Sequence, residues 1–130
     1  MASPLPGLLI AALLSGLLSA SAAEENRPGA EIYQGSCIIC HSAGKHDAPR
    51  FGEHEAWQHR AEQGLDTLVP SAMAGLRKMP PMGANPALSD IELARAVIYM
   101  LNAVGSQFGE PTSAELKVWR GIADDRRKRR

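Results

Sequence analysis

The sequence predicts an all-α fold: about four helices, with a short helical extension on the C-terminal side. Three observations lead there. No run alternates apolar and polar residues as a half-buried strand does. Gly and Pro fall between segments of helical length and mark loops. The stretch Ser89-Asp90-Ile91-Glu92 reads as a capping box in front of an apolar stripe at helical spacing.

Taken in order, the chain opens with an export pattern. Residues 7–18 are an apolar run, and Ala20-Ser21-Ala22 is a small-residue cleavage site, so residues 1–23 are expected to be a signal peptide cut near Ala22 or Ala23. No Lys or Arg precedes Arg27, a departure from the usual pattern. The rival reading is an uncleaved anchor, which needs about 20 apolar residues. The run 5–23 falls just short of that and is broken by Ser and Gly.

Pro28-Gly29 opens a first helix to about Cys37, with Ile32, Tyr33 and Ser36 on one side, and a loop spans 42–52. A second helix covers 53–63 and stops at Gly64. Asp66 is expected to cap a third helix running to about Ala74, with Pro70 awkwardly near its start. The segment 77–87, rich in Pro, Gly and Met, reads as an irregular loop.

The last core helix follows Ser89, with Leu88 and Leu93 as a hydrophobic staple. Its stripe is Leu93, Val97, Met100 or Leu101, and Val104, widened by Ala94 and Ile98, and Gly105 ends it. The extension, 106–130, is expected to hold one short amphipathic helix over about 112–122 and then a charged tail.

The formal charge is zero, but it is unevenly placed. Up to Ala123 there are 9 basic against 12 acidic residues, a balance of −3, and residues 126–130 are all basic. That pattern argues against a nucleic-acid-binding body, which would carry its basic residues on a folded face. The tail reads as a mobile, solvated end, or as a device steering the chain to an acidic partner or an anionic membrane surface. Two Phe, two Trp and two Tyr are few for such a domain, so something other than protein is expected to fill part of the core.

The only two cysteines stand in Cys37-Ile38-Ile39-Cys40-His41. C-x-x-C-H reads as a haem c attachment motif. Two thiols at this spacing can add to the two vinyl groups of one haem, and the next residue brings an imidazole under the iron. A disulfide over so short a loop contributes little stability. A thioredoxin-like dithiol needs a βαβ setting, and a structural zinc site needs four ligands. The remaining histidines form no metal motif: His54-Glu55 with His59 is one residue too long for H-E-x-x-H, so the two imidazoles fall about 140° apart on a helix.

An iron held by His41 has a sixth position. Met1 leaves with the signal, Met73 lies in the third helix, and Met100 lies in the apolar stripe. Met79 and Met82 remain, both in the loop. Met79 precedes Pro80-Pro81, which stiffen the backbone, and is the preferred candidate, with Met82 as the alternative.

The sequence resembles the class I c-type cytochromes, nearest to the bacterial cytochrome c5 group. The resemblance covers residues 28–104. It rests on Cys37-Ile38-Ile39-Cys40-His41, Ala48-Pro49-Arg50-Phe51-Gly52, Trp57 with Arg60, Gln63-Gly64-Leu65-Asp66-Thr67-Leu68, Met79-Pro80-Pro81, and the helix from Leu88-Ser89-Asp90 to Tyr99-Met100. It implies a domain, placed at 24–105, of helices wrapped around one covalently attached haem with His41 and Met79 as axial ligands.

It further implies a Pro49 carbonyl that accepts from the ligating His, and a Gly29–Tyr33 crossing against the last helix near Ala94, Ile98 and Tyr99. Trp57 and Arg60 are candidates to hydrogen-bond a haem propionate. The expected activity is one-electron transfer in the periplasm between redox proteins of a respiratory chain, with no enzymatic step and no nucleic acid. The alternatives are a haem-bearing subunit or docking module of a larger oxidase or dehydrogenase, and a haem enzyme or gas sensor with a labile sixth ligand.

Overall fold

The computed structural model describes residues 1–4 and 27–130, so most of the expected export signal lies outside the described residues. Helix α1 runs as Gly29–Ile32, a π-helical segment Tyr33–Cys37, and Ile38–His41. Then come α2, His54–Ala61; α3, Leu65–Ala74; α4, Asp90–Asn102; and α5, Ser113–Lys128. Short 3₁₀ turns occupy Lys45–Asp47 and Pro81–Ala84. No strand forms among the described residues, and none of their helices is long and apolar enough to cross a membrane.

The frame is the α1–α4 crossing, the most extensive helix contact. A methyl at Gly29 would lie 2.2 Å from the Arg95 carbonyl oxygen and 3.0 Å from Tyr99 Cβ, so only a residue without a side chain permits this approach. Around the crossing Tyr33, Phe51 and Tyr99 pack ring to ring, with centroids 4.7 to 5.6 Å apart. These aromatic side chains close the end of the core formed by α1 and α4.

Helix α4 starts as its sequence dictates. Ser89 accepts from the Glu92 N–H, and the Glu92 carboxylate accepts from the Ser89 N–H at 3.0 Å. Leu88 and Leu93 are both buried beside the cap. At the other end the Gly105 and Ser106 N–H groups donate to the Asn102 and Leu101 carbonyls, closing the last turn.

Four expectations need correction. Helix α1 does not stop at Cys37 but continues to His41, its middle widened by a π turn. Gly64, not Asp66, precedes the first turn of α3, and the Asp66 carboxylate instead accepts from Trp119 Nε1 at 2.7 Å. Pro70 stands inside α3. Its missing N–H removes only the bond to the Asp66 carbonyl, and Ser71 Oγ adds one to the Thr67 carbonyl at 2.7 Å.

The fourth correction concerns the extension. It is a 16-residue helix that includes the basic residues up to Lys128, not a short helix with a mobile tail. The charges suit a helix end: Arg120–Asp124 and Lys128–Asp125 pair one turn apart, and cations favour the negative end of the macrodipole. Helix α5 packs on α3 with Trp119 and Ala123 fully buried. Arg126 donates to Ser71 Oγ at 2.9 Å, and Arg130 donates to the Gly75 carbonyl at 2.6 Å and the Ala74 carbonyl at 3.4 Å. Arg130 thus satisfies carbonyls at the end of α3 that the helix leaves without partners.

Candidate functional site

The C-terminal end of α1, the turn before Pro80 and one face of α4 enclose an apolar cavity. Cys37, Cys40 and His41 line it from α1, and Met79 and Pro80 face them from the loop. Leu93, Ala96, Val97 and Met100 line it from α4, at the i, i+3, i+4, i+7 spacing of one helix face. No Phe, Tyr or Trp is among the residues that line it. That is where the scarcity of aromatic filling shows.

His41 is held on every side but one. Its Nδ1 lies 2.8 Å from the Pro49 carbonyl oxygen and donates to it, which fixes the tautomer and leaves Nε2 as a lone-pair nitrogen. Its own carbonyl accepts from the Phe51 N–H at 2.7 Å, and its ring stacks on Trp57 with centroids 5.8 Å apart. Burial pushes the imidazole below its ordinary pKa, outweighing the bond to Pro49 that favours the cation, and the Arg60 charge adds to the lowering. The ring is therefore neutral at pH 7, the form that ligates a metal.

Both cysteines are free thiols. Burial, with Cys40 nearby, pushes the Cys37 thiol up to about 11, so it stays protonated. Cys37, buried, and Cys40, half-buried, stand beside the His41 imidazole.

Met79 is fixed by a tight turn that the sequence shows only as irregular loop. Its N–H donates to the Leu76 carbonyl at 2.9 Å, and its carbonyl accepts from the Leu76 N–H at 3.0 Å. Arg77 within the turn has φ +52. Gly75 precedes it at φ +84, where an added Cβ would lie 2.9 Å from the Met79 carbonyl oxygen. Met82 does not line the cavity; its sulfur takes a hydrogen bond from Arg120 at 3.6 Å. Met73 is fully buried in α3.

Trp57 and Arg60 stand apart from the cavity lining. Trp57 has one N–H, and it donates to the Arg50 carbonyl at 2.8 Å. Arg60 donates to the Ala56 carbonyl at 2.6 Å. The structure makes Trp57 a support for the His41 ring, which the residue type alone did not reveal. His54 and His59 are exposed on α2, and His46 sits at the cavity rim.

The donor set suits a haem c. Two unpaired thiols, one neutral imidazole with a free nitrogen and one thioether line a single apolar cavity. A covalently held porphyrin with two axial ligands needs these groups.

The comparisons with known proteins agree. The family described as "Cytochrome C oxidase, cbb3-type, subunit III" matches residues 24–100. Cytochrome c-555 of Prosthecochloris aestuarii is 37% identical, over 58% of this chain and 85% of the relative. Cytochrome c5 of Ectopseudomonas mendocina is 38% identical, over 61% of this chain and 93% of the relative. A solved chain from "Crystal structure of electron transfer complex of nitrite reductase with cytochrome c" is 36% identical with a TM-score of 0.56, covering 58% of this chain and 93% of that one.

Proposed function

The chain belongs to the class I c-type cytochromes and is a mono-haem electron carrier with haem c attached through Cys37 and Cys40; from that premise we propose that His41 and Met79 are its axial ligands and that it works outside the cytoplasm. The observation that carries this is the convergence of Cys37, Cys40, His41 and Met79 on one apolar cavity. When bound, the haem iron supplies a one-electron exchange between its ferric and ferrous forms.

The residues of this chain do the rest. His41 offers Nε2 in a fixed orientation because Pro49 and Trp57 hold its other nitrogen and its ring. Met79 offers a soft thioether from a turn whose backbone is tied at both ends and followed by two prolines. The α4 face keeps water from the site. With His41 and Met79 in both axial positions, a bound haem would offer no open position to oxygen or peroxide, which favours a carrier over an enzyme. The relatives this chain covers over most of their length bear the names of small cytochromes, which favours the same reading over a subunit of a larger oxidase.

The export pattern in residues 1–23 supports a periplasmic location, with partners that are redox proteins of a respiratory chain; the solved neighbour, in a complex with nitrite reductase, illustrates such a pairing. Arg127 and Lys128 at the end of α5, and Arg129 just past it, remain exposed and are the part of the basic tail available for steering toward an acidic partner or surface.

The test is spectroscopic. Met79→Ala should abolish the far-red sulfur-to-iron band of the oxidised protein, lower the reduction potential and admit carbon monoxide to the reduced form; Met82→Ala should do none of these. If the two variants exchange phenotypes, Met82 is the ligand. Cys37→Ala with Cys40→Ala should yield protein without haem stain on a denaturing gel.

A further inference from the structure

The segment 75–84, which carries Met79, is strained and tethered from outside. Arg77, Met82 and Ala84 have φ of +52, +56 and +63, a region that non-glycine residues enter at a cost. Such a backbone persists where its surroundings over-determine it. One outside tether pairs Lys78 with Asp47 at 2.6 Å, and two more come from the C-terminal extension.

Arg120, half-buried on α5, donates to both carboxylate oxygens of Asp90 at the start of α4, with Nε–Oδ2 at 3.0 Å. The same guanidinium reaches the Met82 sulfur at 3.6 Å. Arg130, just beyond the helix, donates to the Gly75 carbonyl at 2.6 Å. Ten residues apart, about 15 Å along a helix, the two arginines grip opposite ends of the Met79 loop.

We propose that α5 is a clamp on this loop, in which Arg120 and Arg130 are positioning residues that hold Met79 over the iron and Arg120 holds the Met82 thioether away from it. The inference rests on Met79 being the sixth ligand. A chain with two thioethers three residues apart needs a device that decides between them. A guanidinium bonded to one sulfur is such a device, because it holds that side chain outside the cavity that Met79 lines. Asp90 fixes the guanidinium in turn, so the selection is anchored to α4, whose opposite end of the contact lines the cavity. The family match ends at residue 100, so the clamp lies outside it.

The test uses the full, haem-loaded chain, with carbon monoxide binding to the reduced form and proton NMR of the iron-bound methionine methyl. Arg120→Gln should raise the carbon monoxide binding rate roughly tenfold, the factor carried by one charge-assisted hydrogen bond. It should also produce a second shifted methionine methyl signal, which adding Met82→Leu removes. Arg130→Gln, at an exposed position, should raise the rate as well and keeps the clamp testable if Arg120→Gln does not fold. Rates unchanged from the parent in both variants overturn the clamp, and a single methyl signal in Arg120→Gln overturns the selection between sulfurs. Met79→Ala that retains its far-red band would instead overturn the ligand reading on which the clamp rests.

Discussion

Helices α4 and α5 begin alike and are held by different physics. Each opens on a capping box, Ser89 with Glu92 and Thr112 with Glu115, and each runs for more than three turns. Helix α4 then buries eight residues, against α1 on one side and the cavity on another. Helix α5 buries only Trp119 and Ala123 and attaches through directed polar links: Trp119 to Asp66, Arg120 to Asp90, Arg126 to Ser71, Arg130 to Gly75. A helix held by an apolar stripe announces its partner in its periodicity. A helix held by four or five specific bonds does not.

The largest effect should come at the α4 contact. Gly29→Ala places a methyl where the Arg95 carbonyl oxygen stands, and should cost about 3 kcal/mol or more in denaturant unfolding of the haem-loaded protein. A loss below about 1 kcal/mol would mean that the α1–α4 crossing yields easily and is not the frame of the fold.

Next comes the anchor of α5. Trp119→Ala removes a fully buried indole and its bond to Asp66, and should cost on the order of 3 kcal/mol. Amide exchange should quicken throughout α5 while α4 keeps its protection, since a helix tied by few bonds opens as its own unit. Equal acceleration in both helices would erase the distinction drawn between them.

A smaller effect separates the two caps by pH. Burial opposes the Glu92 charge, but the Arg27 guanidinium and the Ser89 groups more than offset it and hold the carboxyl below its ordinary 4.5. A depressed carboxylate contributes stability that is complete above its unfolded value and is lost as pH falls through the folded one. Unfolding free energy should therefore decline on acidification below about 4.5, and Glu92→Gln should flatten part of that slope. An unchanged slope would show that the Arg27–Glu92 pair contributes nothing.

The smallest effect is expected at Thr112→Ala. This exposed cap starts a helix already held by Trp119, so about 0.5 kcal/mol is expected, at the low end for a lost N-cap. Ser89→Ala in the buried setting of α4 should cost more. The reverse order would place the organising cap in the extension.

What the sequence disclosed follows the same division. The α4 boundaries and the staple were legible because close packing leaves period and caps behind, whereas the Gly29–Tyr33 crossing was legible only through the resemblance to the class I cytochromes. The thiols and His41 were legible because their chemistry imposes a spacing. The Met79 turn was not, since the Leu76 bonds that shape it are backbone to backbone and leave no mark on residue type. Nor was the bond from Trp57 to the Arg50 carbonyl, seven residues away, for the same reason: its acceptor is backbone. The basic tail looked solvated because charge composition does not reveal which carbonyls a guanidinium will find.

One face of α4 has a further consequence. Leu93, Ala96, Val97 and Met100 line the cavity and are already nearly closed to solvent, so a haem seated there would add apolar contact to a stripe that protein shelters. Binding that adds contact to the folded state alone stabilises it by mass action, so the haem-loaded chain should resist unfolding more than the haem-free one. Proteases clear what stays open. Haem loading should therefore lengthen the life of the chain against proteolysis, which limited digestion of loaded and haem-free protein would measure.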